Sequence, residues 1–340
     1  MRRYSFVLLL VILVGCGQST ATVQPSQISQ SQQQTTTADQ VVPTASAIAT
    51  EPVSQIRVVT TMSILADVIK QVGGDRVIVD NIIPLGAGPE DYQATPGDSQ
   101  KIADANIVFF NGHALEEWLE PLFENAGGSE QPRVELSAGL AAIEDEHADE
   151  HAGEEHADEE HADEHAHEEG NPHFWLDPTY VMSYTLTIRD QLSAIDPSGK
   201  DVYAANAEAY LGQLEALDQE LQGLAAQIPA ERRKLITNHD AFPYFAKRYG
   251  FDVAGVLLEN PEAELSAGDL AALVESVKAS GVPAIFSESQ FNQKTAELLA
   301  DEAGIKTIAV LYTDTLGSDI ATSYIDMMRY NMNTIVAALK

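Results

Sequence analysis

Short apolar runs, several of them followed by a stretch of helical periodicity, recur along this chain and confine it to a narrow set of folds. IRVVTT, starting at Ile56, comes first; Ser63 to Val72 follows with a 3.6-residue apolar period and closes on Gly73-Gly74. Further runs are Val77 to Ile83, Ile107 to Phe110, Leu235 to Thr237, Val253 to Leu257, Ala284 to Ser287 and Thr307 to Leu311. Near-continuous apolar strands are buried on both faces, and the helical stretches between them supply the crossovers that parallel neighbours require. The expectation is an α/β protein.

Between the two groups of runs lies Pro197 to Gln227, with Tyr203, Tyr210, Leu214, Leu217, Leu221 and Leu224 on one helical stripe. It predicts one long helix, more than about 40 Å at 1.5 Å per residue. Such a helix is either a core helix of one domain or a link between two lobes, and the grouping of the runs favours the link. A chain of 340 residues is long enough for both lobes. The expected division is a first α/β lobe over 55–178, a helical region over 179–227 and a second α/β lobe over 228–340, each lobe a short parallel sheet flanked by helices.

The first residues read MRRYSFVLLLVILVGCGQS, with Arg2 and Arg3 ahead of an apolar run too short to span a bilayer. Residues 1–15 are expected to be a signal peptide. Leu13-Val14-Gly15-Cys16 resembles the bacterial lipobox, which makes Cys16 the lipid-bearing first residue of the mature chain. Cys16 is the only cysteine, so no disulfide framework and no thiolate metal site arises. Gly17 to about Pro52 is Gln, Ser, Thr, Ala and Pro, which cannot bury enough apolar surface to fold. Residues 16–54 are read as a lipid anchor and disordered linker reaching on the order of 30 Å, tethering the folded part outside the cytoplasm by its acyl chains.

The formal charge is −33, from 52 acidic against 19 basic residues, and it repels a phosphate backbone. Nucleic acid is excluded as a partner. Fourteen of the carboxylates lie in residues 144–169, together with His147, His151, His156, His161, His165 and His167 and no Lys or Arg. Loosely arranged imidazoles among carboxylates are expected to bind several cations weakly, without fixed geometry. HADEH at 147–151 and 161–165 fits a metalloprotease pattern, HxxEH. That pattern requires a helix with an apolar face against a catalytic core, and Ala, Asp and Glu supply none.

Open parallel sheets bind ligands outside the carboxyl ends of their strands. Glu90 and Asp91 (IIPLGAGPEDY), His239 (LITNHD) and Asp314 (AVLYTDTLG) all follow apolar runs, and His173 sits in NPHFWLDP. Imidazole nitrogen and carboxylate oxygen are donors for zinc, manganese or ferrous iron. Taken singly, each is as readily a cap, a turn former or a hydrogen-bonded structural residue.

Six segments in order carry a resemblance: TTMSILADVIKQVGGDRV at 60–77, PEDYQATPGD at 89–98, FFNGHALEEWL at 109–119, NPHFWLDP, NHDAFPYFAKRYG at 238–250 and YTDTLG at 312–317. With these, residues 56–340 resemble the metal-binding lipoproteins of zinc and manganese ABC transporters, the cluster of solute-binding proteins with a rigid connecting helix. The resemblance implies two lobes joined by that helix, a metal between them, and an ABC permease with its ATPase as partners. It places His173, His239 and Asp314 on three of the family's ligand positions. At the fourth, where the family has Pro-His-x-Tyr, this chain has Pro89-Glu90-Asp91-Tyr92. Glu90 is the expected fourth ligand; Asp91, or a site of three ligands plus water, is the alternative, and His113 falls in a segment that is not a ligand segment in the family.

Two His and two carboxylates form a harder donor set than three His and one carboxylate, which leans toward Mn2+ or Fe2+. In the resembling family a His-rich acidic loop before the NPHxWLDP-like segment is typical of zinc importers and implies Zn2+. The expected function is a monomeric binding lipoprotein, not an enzyme, that captures a divalent transition metal, zinc first, and delivers it to the permease. Metal capture is expected to release protons from the imidazoles. An adhesin or metal buffer on the same fold is the alternative. A secreted zinc hydrolase is disfavoured, because neither Glu288 nor Glu259 lies in a motif that makes it a general base.

Overall fold

β1 (Ile56–Thr60) is the IRVVT run, and α1 (Ser63–Gly73) packs Ile64, Leu65, Val68, Ile69 and Val72 into the core before Gly74, at a φ of +56°, turns the chain. β2 (Val77–Asn81), α2 (Pro96–Ala103), β3 (Ile107–Phe110), α3 (Leu119–Asn125) and β4 (Arg133–Glu135) follow. The four strands form one parallel sheet in the order β2-β1-β3-β4, with Val58 between Val79 and Ile107. The computed structural model describes residues 55–90, 92–125, 131–143, 170–258 and 266–340. The expected signal peptide, Cys16 and the linker, together with Asp91, Glu259 and all six histidines of the acidic tract, lie outside the described residues.

Two helices then cross the molecule. α4 (Pro178–Ile195) starts on a proline whose missing N–H would have had no helical partner, and the Asp177 side chain caps it by accepting from Thr179 N at 2.8 Å. α5 (Lys200–Ala225) begins three residues later than the expected helix, because Pro197–Gly199 forms a separate 3-10 turn. Its 26 residues measure about 39 Å. The stripe Tyr203, Ala207, Tyr210, Leu214, Leu217, Leu221 and Ala225 is buried, against α4 and α1 on one side and the final helix on the other.

The second half holds β5 (Lys234–Thr237), α6 (Pro243–Tyr249), β6 (Asp252–Val256), α7 (Ala267–Ser280), β7 (Ala284–Glu288), α8 (Lys294–Ala303), β8 (Thr307–Leu311) and α9 (Tyr324–Leu339). β5 pairs with β6 and β7 with β8, both parallel. β5 and β7 lie side by side without a backbone ladder. At their carboxyl ends side chains do the joining: Asn238 N donates to Glu288 Oε1 at 2.8 Å, and Glu288 N donates to Asn238 Oδ1 at 2.9 Å. The spatial order β6-β5-β7-β8 repeats the order of the first sheet, and in each lobe the strand order reverses once, between β1 and β3 and between β5 and β7. A crevice opens at such a reversal, outside the carboxyl ends of the strands.

One large apolar core runs through the first sheet, α1, α4, α5, α6 and α9, and a smaller one holds Ile236, Leu257, Val277, Ile285 and Leu299. The last helix therefore returns to the larger core. Among the described residues no helix is long and apolar enough to cross a membrane.

The junction of α5, α6 and α4 carries a charge cluster. Arg248 grips Asp218 through Nε at 2.9 Å and Nη2 at 2.5 Å, Tyr249 Oη donates to Asp218 at 3.2 Å, and Arg248 Nε lies 3.9 Å from Asp177. Arg248→Ala would strand a nearly buried Asp218. With the guanidinium side chain 32% exposed, the expected loss is about 1–2 kcal/mol, read as a lower urea midpoint at unchanged slope.

Candidate metal centre

His239 is the second residue after β5, Asp314 the third after β8, and His173 lies in the 3-10 turn entry ahead of α4. All three side chains are buried. Glu90 comes from the loop after β2 and is 26% exposed. That loop is pinned by Trp118, whose indole donates to Pro89 O at 2.7 Å and whose ring meets Tyr92 edge-on at 5.0 Å.

These four residues converge. His173 Nε2 lies 3.1 Å from His239 Nε2, 3.5 Å from Glu90 Oε1 and 3.8 Å from Asp314 Oδ1, and His239 Nε2 lies 3.3 Å from Asp314 Oδ2. A tetrahedron with metal–ligand bonds of about 2.0–2.2 Å has edges of roughly 3.3–3.6 Å, within the span of these separations. Asp314 Oδ1 is buried with no hydrogen-bond partner. An orphaned carboxylate oxygen beside two imidazoles is a place for a cation.

The imidazoles are held from behind. Asn171 donates through Nδ2 to Asp240 O at 2.6 Å, which turns its Oδ1 toward the backbone N–H of His173 at 3.1 Å and Nδ1 at 3.0 Å. An amide oxygen only accepts, so the His173 proton sits on Nδ1 and the Nε2 lone pair faces the cleft. Behind His239, Glu288 Oε1 accepts from the His239 backbone N–H at 3.1 Å, while Oε2 approaches Nδ1 at 2.7 Å, too obliquely for a well-aligned bond. Burial and the neighbouring His239 push His173 well below the usual imidazole range. Burial also acts downward on His239, but Glu288 and Asp314 outweigh it and push that imidazole well above the range.

Glu288 cannot serve as the general base of a hydrolase. Its two oxygens already accept from Asn238 N, His239 N, Thr313 Oγ1 at 2.7 Å and Gln290 Nε2 at 3.3 Å. Sequence reasoning named Glu288 only to dismiss it as a base, and missed it and Asn171 as the supports of the two imidazoles. The only local signals were a carboxylate closing an apolar strand and an Asn two places before His173. His113 stays outside the cluster: its Nδ1 meets Ser137 Oγ at 2.9 Å, in a turn where Gly112, His113 and Ala114 all have positive φ.

Ties between the two sides surround the site. Trp175 Nε1 donates to Thr313 O at 2.7 Å, Leu316 N to Ser63 Oγ at 2.9 Å, Gly86 N to Thr315 Oγ1 at 3.0 Å, and Tyr244 Oη to Asn171 O at 2.5 Å. The Glu90 loop has its own anchor in Asp98, which closes the capping box of α2 with Thr95 and accepts from Tyr92 Oη at 2.9 Å. Burial acts to raise the Asp98 carboxyl, but the Thr95, Lys101 and Tyr92 donors overcome it and bring it down to about 2. A folded-state pKa below the unfolded value of 3.8 gives stability that is complete above about pH 4 and lost as pH falls through 2. Asp98→Ala is expected to cost about 1–2 kcal/mol at pH 7 and to flatten the acid unfolding profile between pH 4 and 2, a change that circular dichroism during acid titration would register.

Known proteins share this fold. The family described as zinc-uptake complex component A, periplasmic, matches residues 58–338. The manganese-binding lipoprotein MntA of Halalkalibacterium halodurans is 35% identical over 286 residues, covering 84% of this chain and 88% of its own length. The periplasmic zinc-binding protein TroA of Treponema pallidum superposes with a TM-score of 0.74 at 30% identity, over 84% of this chain and 99% of its own. A manganese-bound periplasmic metal-binding protein of Candidatus Liberibacter asiaticus superposes with a TM-score of 0.70 at 26% identity, over 84% and 100%. These relatives are named as binding proteins, not as enzymes. The two-lobe α/β fold, with short parallel sheets flanked by helices, is what this chain shares with them, and it belongs to the zinc-uptake complex component A family of ABC-transporter metal-binding proteins.

Proposed function

We propose that the chain is the extracytoplasmic binding component of an ABC transporter that carries a divalent transition metal as cargo between Glu90, His173, His239 and Asp314. The observation that carries this reading is the convergence of four donor groups, with the His173 ring oriented from behind by Asn171 and the His239 ring set against the Glu288 carboxylate. One glutamate and one histidine come from the first lobe and one histidine and one aspartate from the second, so an ion bridges the lobes. With α5 packed against both sides, release to the permease proceeds by a small lobe shift or loop rearrangement rather than a wide hinge.

Zinc is the cargo that the His-rich acidic tract favours, since imidazole nitrogen suits zinc and the tract supplies six more of them. Manganese is the second reading, supported by the two carboxylates of the site and by MntA, named as manganese-binding. Cys16 tethers the chain to the outer face of the membrane, in keeping with relatives named as lipoproteins.

Metal content and competitive affinity for Zn2+ and Mn2+, measured on the chain from Gln55 onward with and without residues 144–169, test the reading. One equivalent of zinc held tightly after deletion is expected. A deleted chain that prefers manganese moves the cargo assignment to manganese, and a chain that retains neither ion overturns the cleft as the site.

A further inference from the structure

Away from the metal site, α1, α5 and α9 line a solvent-open cavity of about 390 Å³. α1 supplies Asp67, α5 supplies Tyr210 and Glu220, and α9 supplies Asp326 and Arg329. Three carboxylates face one guanidinium, and that guanidinium is already taken: Arg329 holds Glu220 through Nε at 2.9 Å and Nη2 at 2.9 Å. The cavity is therefore short of positive charge.

Two side chains point to a ligand. Tyr210 is 1% exposed and lines the cavity, yet its hydroxyl has no hydrogen-bond partner. A buried unpaired hydroxyl costs about 1–3 kcal/mol and calls for an occupant. Asp67 accepts from Tyr324 N at 2.8 Å through one oxygen and from Gln71 Nε2 at 3.2 Å through the other. A carboxylate has about four acceptor positions, so two remain. Burial pushes the Asp67 carboxyl above its usual range despite these donors and Lys70, as expected of a desolvated charge without a close counter-ion.

We propose that this cavity is a second binding site, for a small primary ammonium with a short alkyl body, held between the Asp67 carboxylate and the Tyr210 hydroxyl. Three features select that chemistry. The carboxylate excess repels anions. Among the described residues the groups spaced to hold a metal are those of the cleft, and none includes Asp67, Glu220 or Asp326. Leu217 and Ile325 give the cavity an apolar wall that suits an alkyl chain rather than a fully hydrated ion. An ammonium there donates to Asp67 and Tyr210 at once and joins an α1 side chain to an α5 side chain.

The test uses the intact chain stripped of metal with a chelator, n-butylammonium chloride as the probe, and sodium chloride and butan-1-ol as controls for charge and for the alkyl group. The expected result is a saturable rise in the thermal unfolding midpoint, roughly 2–3 °C at ten times the dissociation constant. Neither control should reproduce it. Asp67→Asn should abolish the rise, and Tyr210→Phe should weaken apparent affinity at least fivefold. A response no larger than that of sodium chloride overturns the site, and so does one that survives Asp67→Asn, which would mark the amine as bound to the acidic tract. Should Asp67→Asn fail to fold, Tyr210→Phe decides alone: it removes one oxygen that has no partner in the protein, and unchanged amine affinity would refute the proposal.

Discussion

His239→Ala is expected to weaken zinc retention in the cleft by on the order of 100-fold or more. Structural four-ligand zinc sites are worth about 10–16 kcal/mol, near 3 kcal/mol per ligand, and 1.4 kcal/mol is tenfold. Two further losses act in the same direction: Asp314 keeps an orphaned oxygen and loses its imidazole neighbour, and Glu288 loses the ring it approaches. The measurement belongs in a chain lacking residues 144–169, so that weak binding by the tract does not mask the loss. That deletion is conformationally feasible because the stems already meet, with Asn171 N donating to Ile143 O at 2.8 Å. Competition against a chelator of known affinity gives the ratio, and a loss below tenfold would remove His239 from the ligand set.

His173→Ala should match this loss and Glu90→Ala should fall short of it. His173 is 3% exposed at the centre of the cluster, with Nε2 within 3.8 Å of all three partners, whereas Glu90 sits at the open side and water can take its place. The order of the three variants thus reads out whether the Glu90 carboxylate completes the coordination sphere or only closes its mouth.

What the sequence made legible is what is written locally. The β-branched runs at Ile56, Ile107 and Thr307 became strands within a residue of the expected bounds, because burial on both faces demands an uninterrupted apolar stretch. β4 escaped notice: three residues at the sheet edge, with Val134 its one apolar side chain, carry no periodicity to detect. The stripe on α5 was readable, while the 3-10 turn that delays its start was not. In the site, His173 and His239 stand 66 residues apart and met on paper only through resemblance to a family. Asn238 and Glu288 lie 50 residues apart, and their reciprocal bonds replace a missing strand ladder. No window of sequence shows that a carboxylate at the end of one strand will take its hydrogen bonds from the end of another.

Glu288→Gln follows from that tie and should have the largest effect on binding of any residue outside the four donors. Glu288 is wholly buried, and as a carboxylate it offers only acceptors to Asn238 N, His239 N, Thr313 Oγ1 and Gln290 Nε2. An amide keeps one oxygen and turns an NH2 toward at least one of these donors, which leaves a buried donor unmet at about 1–3 kcal/mol. The ring of His239 loses its charged neighbour, so its Nε2 becomes a weaker donor to a metal. Supports of this kind are worth 10–100-fold in metal affinity. A purely structural residue would lower the unfolding midpoint of the metal-free chain and leave metal affinity alone; Glu288→Gln should do both. Calorimetric titration of zinc into the folded variant, at a temperature well below its midpoint, separates the two, and an affinity within threefold of the parent chain would show that Glu288 holds β5 to β7 without acting on His239.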